Sequence, residues 1–177
     1  PYRLTAAAAD VPALVAELRA FAETGASNIL QTSFTPLPEK ATRIGFVMSG
    51  QGPQWWGMGR ELMRTEPVFR RAMESCAEAI DRHANFRLLE ELAKGEDETR
   101  LGETEVGQPS IFAMQVALAA LWQSWGVRPD LITGHSVGEI AAAHVAGILT
   151  LEQAAAIITY HAQVMQGCAR DTGAMLA

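Results

Sequence analysis

The segment Gly134-His-Ser-Val-Gly138 places a serine between two glycines, each two residues away. This spacing matches G-x-S-x-G, in which the glycines let a strand turn sharply into a helix and lift the serine hydroxyl clear of the backbone. A serine at that point also faces the partial positive charge of the helix end and a nearby backbone amide, here that of Val137. The pattern favours acyl transfer through an ester on Ser136. The alternative is an ordinary glycine-flanked turn between a strand and a helix.

A second glycine-containing loop, Gly50-Gln-Gly-Pro-Gln54, follows the apolar run at residues 43–48. In a parallel sheet, two loops that each follow a strand emerge at the same carboxyl edge, where ligands bind. The second loop could therefore supply another backbone donor to the serine. The phosphate-binding patterns G-x-x-x-x-G-K-[ST] and G-x-G-x-x-G are both absent around it, which disfavours nucleotide binding.

The elements that must position these loops are predicted from hydrophobic periodicity and capping signals. Apolar spacing predicts helices at 10–24, 67–82, 108–126 and 138–147, and one that starts after Thr150. Short apolar runs predict strands at 43–48 and 131–133, and the proline-containing stretch 26–40 is expected to be a linker. The inner face of the last helix is expected to contain Ala154, Ile157, Ile158, His161, Val164, Met165 and Cys168. This alternation predicts an α/β fold with a largely parallel sheet.

Composition excludes several classes of function. The chain has 177 residues, 49% of them hydrophobic, so it can bury a core without a metal or a disulfide. A net charge of −6 disfavours nucleic acid as a partner. The two cysteines, Cys76 and Cys168, are few and far apart, which favours a reducing cytoplasm, and neither is predicted to be catalytic. No run approaches the roughly 18 apolar residues of a membrane span.

Four motifs together resemble the acyltransferase domains of modular polyketide synthases, in order and in spacing. They are Ser49-Gly-Gln-Gly-Pro-Gln-Trp-Trp-Gly-Met-Gly59, Gln108-Pro109, Gly134-His-Ser-Val-Gly-Glu139 and Gly173-Ala-Met-Leu-Ala177. The wider family includes the malonyl transacylases of fatty acid synthesis. The resemblance implies an incomplete α/β-hydrolase-like core at 43–172 and the start of a small ferredoxin-like subdomain at 173–177. Residues 1–42 resemble the linker between a ketosynthase and its acyltransferase.

The resemblance also implies a reaction and its residues. Ser136 would take an acyl group from acyl-coenzyme A and pass it to the phosphopantetheine thiol of an acyl carrier protein, with no bound cofactor or metal. The amides of Val137 and Gln51 would hold the oxyanion, and Gln108 and His135 would line the pocket. The general base would be a histidine beyond Ala177. The ketosynthase and other domains of the same synthase are the further partners implied.

The histidines at hand are poor substitutes for that base. His135 precedes Ser136 directly, and neighbouring side chains around a tight turn point in different directions. His144 lies about two helical turns beyond Ser136, and His83 is expected at the surface. None of the three is predicted to complete a dyad with the serine.

His161 departs from the family pattern. It lies 25 residues after Ser136, where carboxyacyl-selective members carry an arginine that pairs with the free carboxylate of a malonyl or methylmalonyl group. A neutral histidine offers one donor instead of a charged bidentate fork. We therefore expect a non-carboxylated acyl group, such as a starter unit, although Val137 follows the malonyl-type pattern. Whether His161 lines the pocket or is a hydrogen-bonded core histidine stays open.

Two alternatives remain from the sequence. A serine esterase or thioesterase would use the same turn but release the acyl group to water. A non-catalytic docking domain would keep the fold while its pocket had drifted.

Overall fold

The computed structural model describes residues 3–27, 30–33 and 43–168, and the chain divides into two compact units, Pro1–Thr42 and Arg43–Ala177. The first unit contains strand β1 (Arg3–Ala6), helix α1 (Val11–Thr24) and strand β2 (Leu30–Ser33), and the two strands pair antiparallel. The linker prediction for 26–40 did not include β2, nor was β1 predicted. Their sequences, RLTA and LQTS, are at least half polar, unlike the apolar runs that predicted the strands at 43–48 and 131–133, and it is their pairing that stabilises them.

Helix α1 begins and ends where its sequence signals lie. The Asp10 side chain accepts a hydrogen bond from the backbone amide of Ala13 at 2.8 Å, which satisfies one of the free donors of the first turn. Gly25 ends the helix in the left-handed conformation, with φ of 71°. Both features confirm the predicted bounds of this helix.

The second unit contains the remaining elements. Its strands are β3 (Gly45–Met48) and β4 (Leu131–Gly134). Its helices are α2 (Arg60–Thr65), α3 (Pro67–Asp81), α4 (Leu88–Ala93), α5 (Thr104–Ser124), α6 (Gly138–Val145) and α7 (Leu151–Cys168). The two short helices α2 and α4 were not predicted. The segment 173–177, expected to begin a small subdomain, lies outside the described residues.

Strands β3 and β4 pair in parallel, with Met48 opposite Gly134 at their carboxyl ends. The loop after each strand therefore starts at the same level of the sheet. Helix α6 packs against both strands, and helix α5 packs against α3, α6 and α7. This arrangement confirms the α/β class and brings the two glycine-containing loops to one edge.

Helix α5 starts earlier than predicted. It begins at Thr104 rather than at Gln108, so Pro109 lies inside the helix. Proline lacks an amide hydrogen and normally interrupts a helix interior, which is why the sequence pointed to a start at this position. The earlier start turns Gln108 into a buried residue of the second turn, with 1% of its surface exposed.

Helix α7 presents a different face to the core than expected. Its buried residues are Ala154, Ala155, Ile158, Thr159 and Ala162. The predicted face included Ile157 and Val164, which are 44% and 65% exposed. Alanine side chains allow close approach of helices, so the alanine-containing stripe packs against α5 in place of the larger apolar residues. The helix start is as predicted, since Thr150 and Gln153 form reciprocal capping hydrogen bonds of 2.9 and 3.2 Å.

The cysteines differ in environment. Burial raises the pKa of the Cys76 thiol to about 12, so this thiol stays protonated at neutral pH and is a poor nucleophile. Cys168 is exposed at the end of α7. Among the described residues, no helix combines the length and apolar character needed to cross a membrane.

Candidate active site

Ser136 lies in the tight turn between β4 and α6, two residues before the first residue of the helix. Its φ is 53°, a left-handed value that no other non-glycine residue adopts in the described part of the chain. This conformation costs an L-residue about 1 to 2 kcal/mol, so the surrounding packing must enforce it. The side chain is exposed, whereas Val137 next to it is 4% exposed. The predicted turn with a raised serine is therefore present.

The glycines on either side of Ser136 leave no room for a side chain. A Cβ on Gly134 would lie 2.3 Å from the backbone nitrogen of Glu139, across the turn. A Cβ on Gly138 would lie 2.3 Å from the carbonyl oxygen of Met48, the last residue of β3. The first turn of α6 is thereby seated directly on the end of β3, which fixes the position of the serine.

His135 joins the turn to the loop that follows β3. Its amide donates to the Met48 carbonyl at 2.9 Å, which extends the parallel pairing by one residue. Its ring lies over Gly50, where a Cβ would come within 2.8 Å of Nδ1. The two loops are thus in direct contact. The role of His135 as pocket wall stays a prediction.

Gln51, Gln108 and His161 come together although they belong to three separate elements. The Gln108 side chain donates from Nε2 to Oε1 of Gln51 at 3.0 Å. With that orientation, its Oε1 accepts from Nδ1 of His161 at 2.9 Å, so Nδ1 carries the hydrogen. His161 is exposed and lies beside the buried stripe of α7. It is therefore a hydrogen-bonded partner of Gln108, and the alternative of a core histidine is wrong.

Sequence reasoning missed three residues around this network. Thr104 receives a hydrogen bond of 3.5 Å from Nε2 of Gln51, and its own amide donates to Gln166 at 2.7 Å. Met165 places its sulfur 3.4 Å from Nε2 of Gln108. Thr104 precedes Gln108 by four residues and Met165 follows His161 by four, the spacing of neighbours on one helix face. That spacing was the available signal, but it required a start of α5 at Thr104 rather than at Gln108.

The other histidines have partners elsewhere. His144 donates from Nδ1 to the carbonyl of Leu149 at 3.0 Å, across the turn between α6 and α7. The His83 ring packs on Tyr160 with 5.6 Å between centroids. The expectation that neither acts as the base of Ser136 stays a prediction.

Comparisons with known proteins show which family this chain belongs to. The model of the acyl transferase domain family matches residues 45–177. This chain belongs to that family. It is 47% identical over 137 residues to mycoketide-CoA synthase of Mycobacterium tuberculosis, covering 77% of this chain and 3% of the synthase. It is 39% identical over 171 residues to polyketide synthase GfsE of Streptomyces halstedii, covering 95% of this chain and 4% of that protein.

Solved acyltransferase structures share the fold. The domain from the second module of the salinomycin polyketide synthase superposes with a TM-score of 0.81 at 39% identity, covering 94% of this chain and 38% of that one. The loading acyltransferase of the avermectin synthase gives 0.67 at 44% identity, with coverages of 70% and 39%. The resemblance to acyltransferase domains of modular polyketide synthases is therefore confirmed. The chain spans a small fraction of the curated synthases and under two fifths of these two domains.

Proposed function

We propose that this chain contributes to an acyltransferase domain that moves an acyl group from acyl-coenzyme A, through an ester on Ser136, to the phosphopantetheine thiol of an acyl carrier protein. The observation that carries the proposal is the left-handed φ of 53° at Ser136 in a turn closed by two glycines. Strain of this kind at a nucleophile persists where the surrounding structure enforces it. The carrier protein, the ketosynthase and other domains of the synthase are the proposed partners.

The chemistry proceeds in two halves. Ser136 Oγ loses its proton to a general base and attacks the thioester carbonyl, and the tetrahedral oxyanion accepts hydrogen bonds from the amides of Val137 and Gln51. The carbon–sulfur bond breaks, and the coenzyme A thiol leaves with a proton. The carrier thiol then attacks the serine ester by the same steps, and Ser136 regains its proton. Family resemblance assigns the base to a histidine beyond Ala177.

We infer that the acyl group lacks a free carboxylate. The Nδ1 hydrogen of His161 is already given to Gln108, at 2.9 Å, so a single ring nitrogen is left to meet a substrate. An arginine would present a bidentate, permanently charged fork instead. The loading acyltransferase of the avermectin modular polyketide synthase, which is 44% identical to this chain, supports a starter unit as the acyl group. Val137, which follows the malonyl-type pattern, is the feature that opposes it.

Intact-protein mass spectrometry of the full-length protein tests both parts of the proposal. The protein is offered malonyl-, methylmalonyl-, acetyl- and longer acyl-coenzyme A in competition, with Ser136→Ala as the control. We expect an adduct of a non-carboxylated acyl group that Ser136→Ala abolishes. In His161→Arg, the share of malonyl adduct is expected to rise at least about tenfold, the usual scale for gaining a charge-assisted pair.

The remaining outcomes separate the alternatives. A malonyl adduct in the unmodified protein that matches or exceeds acetyl contradicts the proposed acyl class and leaves the mechanism standing. Release of free acid in place of transfer to the carrier thiol favours a hydrolase. Carrier binding without an adduct from any donor favours a docking domain.

A further inference from the structure

Gln115 is a buried polar residue in the middle of α5 that the chemistry above does not use. Its side chain is 9% exposed. Its Nε2 donates to the carbonyl oxygen of Ser49 at 2.7 Å and lies 3.1 Å from the Ser49 hydroxyl. Because a carbonyl oxygen only accepts, the amide nitrogen must be the atom that faces Ser49.

Ser49 is the first residue after β3 and opens the loop that contains Gln51. Its carbonyl oxygen also packs against the start of α6, where a Cβ on Gly138 would come within 2.6 Å of it. Helix α5, the loop and the serine turn thus meet at this one oxygen. Whatever holds the Ser49 carbonyl sets the position of the loop relative to Ser136.

Gln108 and Gln115 are seven residues apart on α5, which places them on one face two turns apart. Both hold the same loop, at different points. Gln108 contacts the side chain of Gln51 at 3.0 Å, and Gln115 contacts the backbone of Ser49. The segment from Ser49 to Gln51 is therefore bonded to one helix at two points, the Ser49 carbonyl and the Gln51 side chain.

The stability of the folded state does not explain an amide side chain at position 115. Its Oε1 is buried and has no hydrogen-bond partner among the described residues. A buried acceptor without a partner destabilises the folded state, whereas an apolar side chain of similar length does not. A glutamine at this position is consistent with a functional role for its Nε2 donor.

We propose that Gln115 is a positioning residue for the oxyanion hole, acting through the Ser49 carbonyl on the amide of Gln51. This inference rests on the proposed function, because it requires acylation of Ser136. It adds to that function a residue that touches neither the substrate nor the serine.

The test compares Gln115→Met with Gln163→Met in the full-length protein. Gln163 is the matched control, because its Nε2 also donates to a backbone carbonyl, that of His83 at 3.1 Å, and His83 is not part of the loop. The readouts are the single-turnover rate of Ser136 acylation, the KM for acyl-coenzyme A and the Tm. We expect Gln115→Met to acylate about 10- to 100-fold more slowly, with KM within about twofold and a Tm equal to or above that of the unmodified protein.

The outcomes are exclusive. Gln163→Met is expected to retain the unmodified acylation rate, and Ser49→Ala to lose less than about threefold, since the carbonyl contact remains. An unchanged acylation rate in Gln115→Met overturns the inference, as does a variant that fails to fold, which makes the amide structural. Absence of any adduct in the unmodified protein overturns the proposed function, whereas an adduct insensitive to Gln115→Met overturns only this inference.

Discussion

The two loops at the carboxyl edge of the parallel pair are shaped by different forces. The turn around Ser136 is shaped by backbone contacts, because Gly134 and Gly138 lie against neighbouring backbone with no space for a Cβ. The loop at 49–52 is held by side-chain amides from α5, which donate to Ser49 and Gln51. Gly50 in that loop lies against His135, but a Cβ on Gly52 would meet no atom within 4 Å.

Because of this difference, we expect substitutions in the two loops to affect stability and acylation rate differently. Backbone packing cannot be relaxed without moving a strand or a helix, so changes around Ser136 should cost stability and activity together. Hydrogen bonds from side chains can be removed one at a time, so loss of a bond that holds the other loop should lower the acylation rate with little loss of stability. The proposed nucleophile thus has a rigid support, while the loop that contains Gln51, one of the two proposed oxyanion donors, has an adjustable one.

The largest expected effect is that of Gly138→Ala. The added methyl would lie 2.3 Å from the Met48 carbonyl, so β3 and α6 must separate. We expect a loss of about 3 kcal/mol in the free energy of unfolding, measured by urea denaturation, and loss of the Ser136 adduct. Gly167→Ala is the control, because a Cβ on this helical glycine meets nothing within 4 Å and should stabilise by up to about 1 kcal/mol. Equal stability of the two variants would remove the basis for the comparison.

Gln108→Met is expected to have an intermediate effect. It keeps the buried volume but removes the contacts with Gln51 and His161, at 3.0 and 2.9 Å. Both partners are exposed and can bond to water, so we expect about 1 kcal/mol of stability lost and about tenfold slower acylation in single-turnover kinetics. A stability loss as large as that of Gly138→Ala would show that this loop is also held by packing.

Gly52→Ala is expected to have the smallest effect on the acylation rate. Its φ of 132° is strained for any L side chain, yet no atom obstructs the methyl group. We expect about 1 to 2 kcal/mol lost in urea denaturation, with Ser136 acylation within about threefold of the unmodified rate. Complete loss of the adduct in a folded Gly52→Ala protein would instead place this loop under the same steric control as the serine turn.

Local sequence signals predicted the helix caps but not the buried face of α7 or the start of α5. The caps at Asp10 and Thr150 were predictable, because each depends on residues three apart. The face of α7 was not, since apolar size favoured Ile157 while close packing selected the alanine stripe. The start of α5 was missed because the proline rule applies to helices in isolation, and tertiary packing of this helix overrides it.

The sequence by itself determined the serine turn. This turn depends only on residues that are neighbours in the chain, a serine with a glycine on either side between a strand and a helix. The resemblance also predicted that His161 stands where carboxyacyl-selective members of the family carry an arginine. Only the tertiary structure decided that His161 contacts Gln108, that Gln108 contacts Gln51 and that Gln115 holds Ser49. These pairs are more than fifty residues apart in the chain, and a hydrogen bond forms only where packed helices bring donor and acceptor within about 3 Å.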